Sequence, residues 1–94
     1  MGKKFDALDL LLIKNQPKSS MIFCNTKKMV DELTNILVSK GYKAAGIHGD
    51  MKQLQRTSVM NSFKSGKTSI LVATDVAARG IDVNGIDAVF NFDL

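Results

Sequence analysis

Three short segments of the chain carry side chains that can bind a phosphate group or a sugar. Thr26-Lys27-Lys28 combines a hydroxyl with two cations, and Gln53 and Arg56 are long hydrogen-bond donors three residues apart. Arg79-Gly80-Ile81-Asp82 holds a guanidinium and a carboxylate close together. Arginine donates to phosphate oxygens, and a carboxylate accepts hydrogen bonds from sugar hydroxyls. The chemistry that these segments could share is therefore the binding of a compound built from phosphate and sugar.

Each segment also has a simpler structural explanation. Thr26 could cap a helix that merely carries surface lysines. Gln53 and Arg56 could belong to a solvated helix face. Arg79 could form a salt bridge with Asp75 or with Asp82. Taken one at a time, the segments leave these alternatives open.

His48 and Cys24 are the only histidine and the only cysteine, too few ligands for a zinc site. A lone cysteine also excludes an internal disulfide and suits a reducing compartment, so we expect a cytoplasmic protein. His48 could face a ligand, or its imidazole could serve only to hold the loop that follows it.

Gly66-Lys67-Thr68 is similar to the end of a phosphate-binding P-loop, but two features oppose that function. Asn61 stands where the motif needs its first glycine, and the tripeptide follows a predicted helix instead of a strand. We therefore predict a turn there, and we expect no phosphate-binding loop of this kind in the chain.

The spacing of apolar residues predicts helices that alternate with buried strands. Short continuous apolar runs suit strands covered on both faces, so we expect an α/β fold with an open parallel sheet of about four strands flanked by helices. Ligands bind such sheets beyond the carboxyl ends of the strands, and this rule selects Asn25-Thr26, His48-Gly49-Asp50, Thr74-Asp75 and Asp93. Strands are predicted over 21–24, 43–47, 69–73 and 88–92, and helices over 4–14, between Thr26 and Gly41, and over 51–64, the last carrying Leu54, Val59, Met60 and Phe63.

Length and composition indicate one folded domain over residues 1–94, since 45% of the residues are hydrophobic and 23% are charged. The net charge of +4 favours a polyanionic partner without requiring one. The longest apolar run, Leu8 to Ile13, is interrupted by Asp9 and is too short to span a membrane, so we expect no membrane association.

In their order and spacing, these segments resemble DEAD-box ATP-dependent RNA helicases of superfamily 2. The similarity extends from about Met21 to the last residue. The matching stretches are Met21–Thr26 with motif IV, Gly46–Arg56 with the HGDM and QxxR motifs, Phe63–Gly66 with the F-K-x-G turn, Ala73–Asp82 with motif V, and Asp87–Asp93 with motif Va.

The resemblance implies the second RecA-like lobe of such an enzyme, which works with a first lobe that holds most of the ATP and Mg²⁺ site. By the same resemblance, Arg79, Gly80 and Asp82 line the ATP cleft between the lobes. The family often has arginine after the motif IV threonine, where this chain has lysine, so a looser contact is expected there. The residues implied to grip single-stranded or short duplex RNA, without regard to sequence, are Thr26, Lys27, Gly49, Gln53, Arg56 and Thr74.

The chain ends before the position of the family's motif VI, whose arginines assist phosphoryl transfer. We therefore expect an incomplete lobe, no catalytic residue within it, no ATP hydrolysis by it alone, and self-association through the incomplete sheet. Two other functions remain open. A stand-alone RNA-binding module would use the same strand ends, whereas a flavodoxin-like or Rossmann-like domain is disfavoured because no GxGxxG loop is present.

Overall fold

The structure, a computed structural model, describes residues 2–15, 18–74, 77 and 86–92, apart from the side chains of 2–5, 11 and 15. The predicted alternation of helices and strands is confirmed within these residues. In chain order the elements are α1 (Gly2–Asn15), β1 (Ser20–Cys24), α2 (Lys27–Ser39), β2 (Ala44–Ile47), α3 (Gln53–Ser65), β3 (Ile70–Thr74) and β4 (Ala88–Phe92).

The four strands form one parallel sheet in the order β2-β3-β1-β4. The central strands β1 and β3 are the continuous apolar runs of the sequence, and Met21, Ile22, Leu71 and Val72 are fully buried. Burial on both faces is typical of parallel sheets whose crossover helices cover each side. The parallel α/β prediction is therefore confirmed.

Alternate side chains of each strand face different helices. Ile22 and Val72 pack with Leu33 and Leu37 of α2, in a cluster that also includes Leu8 and Leu12 of α1. On the opposite face, the side chains of Met21 and Leu71 pack with Phe63 of α3. The sheet thus lies between α1 and α2 on one side and α3 on the other.

The helix ends are largely those that the sequence predicts. Gly41 and Gly66 follow α2 and α3 with positive φ angles of 93° and 85°, a conformation that favours glycine. Because Gly66 closes α3, Gly66-Lys67-Thr68 is a turn and not a phosphate loop. One detail is corrected: α3 begins at Gln53, two residues later than expected.

Leu54 differs in exposure from the other apolar residues named for α3. The sequence grouped it with Val59, Met60 and Phe63, but its side chain is 85% exposed, whereas the other three belong to the core facing the sheet. Leu54 precedes Phe63 by nine residues, about two and a half helical turns, so its side chain lies on the side of α3 opposite the sheet.

Two contacts set the position of helices over the sheet. The Tyr42 hydroxyl donates to Asp9 Oδ1 at 2.5 Å, which ties α1 to the segment before β2. Burial, with the hydrogen bond to the nearby Asp9 carboxylate, raises the pKa of Tyr42 to about 12. Gly46 lets α2 approach β2 closely, because a Cβ there would lie 2.8 Å from Val30 Cγ1 and 2.9 Å from Thr34 Oγ1.

No helix within the described ranges is long and apolar enough to cross a bilayer.

Candidate functional site

The carboxyl ends of three neighbouring strands bring the predicted site segments to one edge of the sheet. Cys24 of β1 pairs with Thr74 of β3, and Ile47 of β2 pairs with Ala73 of β3. The segments that follow, beginning near Thr26 and Gly49, therefore leave the sheet side by side. This edge is the one that parallel α/β sheets use for ligands.

Thr26 is the N-cap of α2, as the sequence predicts. Its side-chain oxygen accepts from the Met29 N–H at 3.1 Å, and its carbonyl accepts from the Val30 N–H at 3.1 Å. A hydroxyl that accepts one bond keeps its own proton and a second lone pair. Capping and ligand binding by Thr26 are therefore compatible.

Lys27, the first residue of α2, forms an ion pair with Asp50, which lies in the loop between β2 and α3. The Lys27 ammonium, through its hydrogen bond and its charge, holds the pKa of the Asp50 carboxyl below its usual range. Sequence reasoning predicted Lys27 as a phosphate ligand and missed this partner. The ion pair links the start of α2 to the loop that contains Gly49.

The loop around Gly49 is held by its neighbours in the chain. His48 Nδ1 accepts from the Asp50 N–H at 3.3 Å, and the His48 carbonyl accepts from the Met51 N–H at 3.2 Å. Gly49 itself is exposed, and a Cβ placed on it would meet nothing within 4 Å. The packing of the domain therefore does not require glycine at this position.

Gln53 and Arg56 lie in the first turn of α3, next to this loop. Gln53 Nε2 donates to Thr57 Oγ1 at 3.4 Å, a contact within the helix. The Arg56 side chain is partly buried and has no carboxylate partner among residues 2–15, 18–74, 77 and 86–92. A partly buried guanidinium needs hydrogen-bond acceptors, so Arg56 is suited to an anionic ligand.

Thr74 ends β3, and its hydroxyl accepts from the Ala77 N–H at 3.2 Å.

Three residues predicted for ATP binding, Arg79, Gly80 and Asp82, lie outside the described residues, as do the salt bridges considered for Arg79. In the part of the chain that is described, no three His, Cys, Asp or Glu side chains gather as a metal site would require.

An open parallel sheet flanked by helices, with donor groups collected beyond its carboxyl edge, defines a ligand-binding domain of the open α/β class. The chain matches the family described as "Helicase conserved C-terminal domain" over residues 3–94, and it belongs to that family.

Relatives of known type agree with this assignment. The chain is 51% identical over 92 residues to the DEAD-box ATP-dependent RNA helicase CshA of Bacillus cereus. The aligned region covers 98% of this chain and 18% of that protein. Its fold is similar to the E. coli DEAD-box protein SrmB, solved bound to regulator of ribonuclease activity A (TM-score 0.88, 37% identity, 97% of this chain and 54% of that one). A DEAD-box protein from Methanococcus jannaschii has a similar fold as well (TM-score 0.86, 45% identity). That match covers 98% of this chain and 25% of the other.

The resemblance to DEAD-box RNA helicases and the RecA-like fold are thus confirmed. The chain spans 18% to 54% of the length of these relatives.

Proposed function

We propose that this domain grips the backbone of single-stranded RNA and, beside a first RecA-like lobe, lines the ATP cleft of an ATP-dependent RNA helicase. The observation that carries the proposal is the collection of donors at one sheet edge, with an Arg56 guanidinium that no described carboxylate neutralises. The relationship to an enzyme named as an ATP-dependent RNA helicase supports it.

The RNA contacts are assigned to groups that donate to phosphate or ribose oxygens. Thr26 and Thr74 offer hydroxyls, Lys27 offers an ammonium, and Gln53 and Arg56 offer an amide and a guanidinium. Phosphates carry no base information, so the grip is independent of RNA sequence. Bending one strand in this grip would unpair a short duplex locally.

Gly49 supports the same proposal by elimination. Neither a positive φ angle nor a neighbouring atom accounts for glycine at this exposed position. A missing side chain matters there if something outside the domain comes close to the backbone. An RNA strand that passes between the α2 terminus and this loop meets that requirement.

ATP and Mg²⁺ are proposed to bind mainly to the first lobe, with Arg79, Gly80 and Asp82 completing the nucleotide site from this side. The domain alone is proposed to hydrolyse no ATP. We further propose a cytoplasmic location, which the presence of a single cysteine supports, because one cysteine cannot form an internal disulfide. Self-association through β4 is proposed as well, because β4 pairs only with β1 among the described strands and Val89 is 54% exposed.

The test is the affinity of the 94-residue chain for labelled single-stranded RNA, measured by fluorescence anisotropy over a range of salt concentrations. Arg56→Ala should weaken binding by about tenfold, the loss of one charge-assisted hydrogen bond of ~1.5 kcal/mol, and should lower the salt dependence by about one phosphate contact. Arg56→Lys keeps the charge but not the forked geometry of the guanidinium, so its affinity should lie between that of the wild type and that of Arg56→Ala.

The matched control is Lys64→Ala in the last turn of α3. It removes the same charge about 12 Å along the helix from Arg56, eight residues at 1.5 Å each. Equal losses for Arg56→Ala and Lys64→Ala would mean that RNA responds only to the overall charge, and the proposed grip would be rejected.

A further inference from the structure

His48 has a defined partner on each side of its imidazole ring. Nδ1 accepts from the backbone N–H of Asp50 at 3.3 Å, and Nε2 lies 3.4 Å from Asp31 Oδ1 on α2. The His48 side chain is only 13% exposed, whereas that of Asp31 is 66% exposed. The ring therefore bridges α2 and the loop that contains Gly49.

These partners select one form of the ring. A backbone N–H can only donate, so Nδ1 must be the unprotonated nitrogen of His48. In a neutral imidazole the proton is then on Nε2, where it faces the Asp31 carboxylate.

We infer that His48 and Asp31 form a positioning pair, in which one neutral tautomer of His48 holds the Gly49 loop at a fixed place beside the first turns of α2. As far as RNA binding is concerned, this inference rests on the proposed function. His48 and Asp31 act through Gly49 and do not themselves contact RNA.

The His48 ring is better shielded from solvent than either side chain of the nearby ion pair, although Asp31 is as exposed as they are. The side chains of Lys27 and Asp50 are 61% and 63% exposed, and ion pairs between exposed side chains contribute little because water and salt screen them. The His48 ring is largely shielded, so its contacts are screened less. Gly49 has no side chain of its own that could anchor it.

The contact between His48 Nδ1 and the Asp50 N–H spans two residues, the spacing of an Asx turn. Asparagine places its side-chain oxygen at the same point relative to the backbone. His48→Asn should therefore keep the loop contact while shortening the reach to Asp31, whereas His48→Ala loses both.

The first experiment uses the fact that His48 is the only histidine. A long-range ¹H–¹⁵N spectrum of the imidazole, recorded at neutral pH, reports its tautomer without overlap. The wild-type chain should show a protonated Nε2 and an unprotonated Nδ1, and Asp31→Ala should shift the two ¹⁵N resonances towards a mixture of tautomers. The inference is overturned by a protonated Nδ1 in the wild type, or by an Asp31→Ala spectrum identical to it.

The second experiment compares RNA affinity in two acid-to-alanine variants of adjacent residues on α2. Asp31→Ala and Glu32→Ala remove the same negative charge, which by itself should tighten RNA binding. If Asp31 positions the loop, Asp31→Ala instead weakens binding by about fivefold, the factor that one ordinary hydrogen bond represents, while Glu32→Ala does not. His48→Ala, which loses both contacts, should weaken binding at least as much, and His48→Asn, which keeps only the contact with the Asp50 N–H, should bind RNA more tightly than His48→Ala but less tightly than the wild type.

The outcomes separate the two proposals. Equal tightening by Asp31→Ala and Glu32→Ala would overturn the positioning pair and leave RNA binding intact. A wild-type chain that binds no RNA would reject the proposed function, and the tautomer spectrum would still decide whether the pair exists.

Discussion

Lys27 and Asp50 form an ion pair between the first residue of α2 and the loop that leads to α3. The cation expected to bind phosphate is thus already paired with a carboxylate, although both side chains remain largely exposed. RNA that binds at this edge must compete with Asp50 for Lys27.

Asp50→Asn is therefore predicted to tighten RNA binding. The substitution removes a negative charge from the edge and releases Lys27. It keeps the backbone N–H of residue 50, which donates to His48 Nδ1. The affinity for RNA at low salt should rise. The slope of the logarithm of affinity against the logarithm of salt concentration should steepen by up to about one released counterion. Fluorescence anisotropy over a salt series measures both quantities, with Glu32→Gln as the exposed-acid control. Weaker binding by Asp50→Asn would show that the carboxylate assists the RNA grip instead of opposing it.

The Tyr42–Asp9 hydrogen bond predicts a loss of stability at high pH. Burial and the hydrogen bond to Asp9 raise the pKa of Tyr42 from its ordinary value of 10.0 to about 12 in the folded chain. The stabilisation is therefore fully present below pH 10 and is lost as the pH rises through about 12, since the unfolded chain releases its proton first. Tyr42 is the only tyrosine, so a spectroscopic titration reports it alone.

Two variants check this assignment. Asp9→Ala should lower the measured pKa of Tyr42 towards its ordinary value. Tyr42→Phe should reduce the fall in thermal stability between pH 10 and 12 relative to the wild type. An unchanged Tyr42 titration in Asp9→Ala would contradict the proposed link between α1 and the segment before β2.

Gly46→Ala is predicted to destabilise the domain by about 1–3 kcal/mol, the usual cost of overpacking a core. The added methyl group would lie 2.8 Å from Val30 Cγ1 and 2.9 Å from Thr34 Oγ1, so α2 must shift away from β2. Urea unfolding measures the change. Thr34→Ala should reduce the cost in the double variant, because it removes one of the two clashing groups.

Gly49→Ala provides the matched control, since a Cβ there meets nothing within 4 Å. Its stability should remain close to that of the wild type, whereas its RNA affinity should fall. A large loss of stability in Gly49→Ala, or none in Gly46→Ala, would contradict the packing described for these two glycines.

The local parts of the fold could be predicted from the sequence because they depend on neighbouring residues. Continuous apolar runs gave β1 and β3, and the Thr26 cap and the Gly41 and Gly66 helix ends follow from backbone chemistry within one turn. The strand pattern predicted that the segments of Thr26, Gly49 and Thr74 leave the sheet at one edge, and the pairing of the strand ends agrees with this.

The contacts between distant residues could not be predicted in this way. Lys27 and Asp50 are 23 residues apart, and Asp9 and Tyr42 are 33 apart, so their pairing depends on how the helices pack on the sheet. The exposure of Leu54 is different, because helix periodicity alone puts it about half a turn around α3 from Phe63. Apolar spacing also does not specify the strand order.

Self-association through β4 is predicted to depend on Val89, whose side chain is 54% exposed on the strand at the end of the sheet order. Static light scattering at increasing concentration should show a mass above that of the monomer. Val89→Lys should restore the monomer, since a charged residue on an edge strand opposes pairing with another chain. A strict monomer at high concentration would contradict the prediction.

The central claim, that the sheet edge grips the RNA backbone, is tested most directly by NMR titration of the chain with single-stranded RNA. The amide resonances of Thr26, Gly49, Arg56 and Thr74 should shift together, and to the same extent with oligouridine and oligoadenosine, because the contacts are to phosphate and ribose. Shifts confined to the outward face of α3 around Leu54 and Asn61, or shifts with only one of the two RNAs, would contradict the claim.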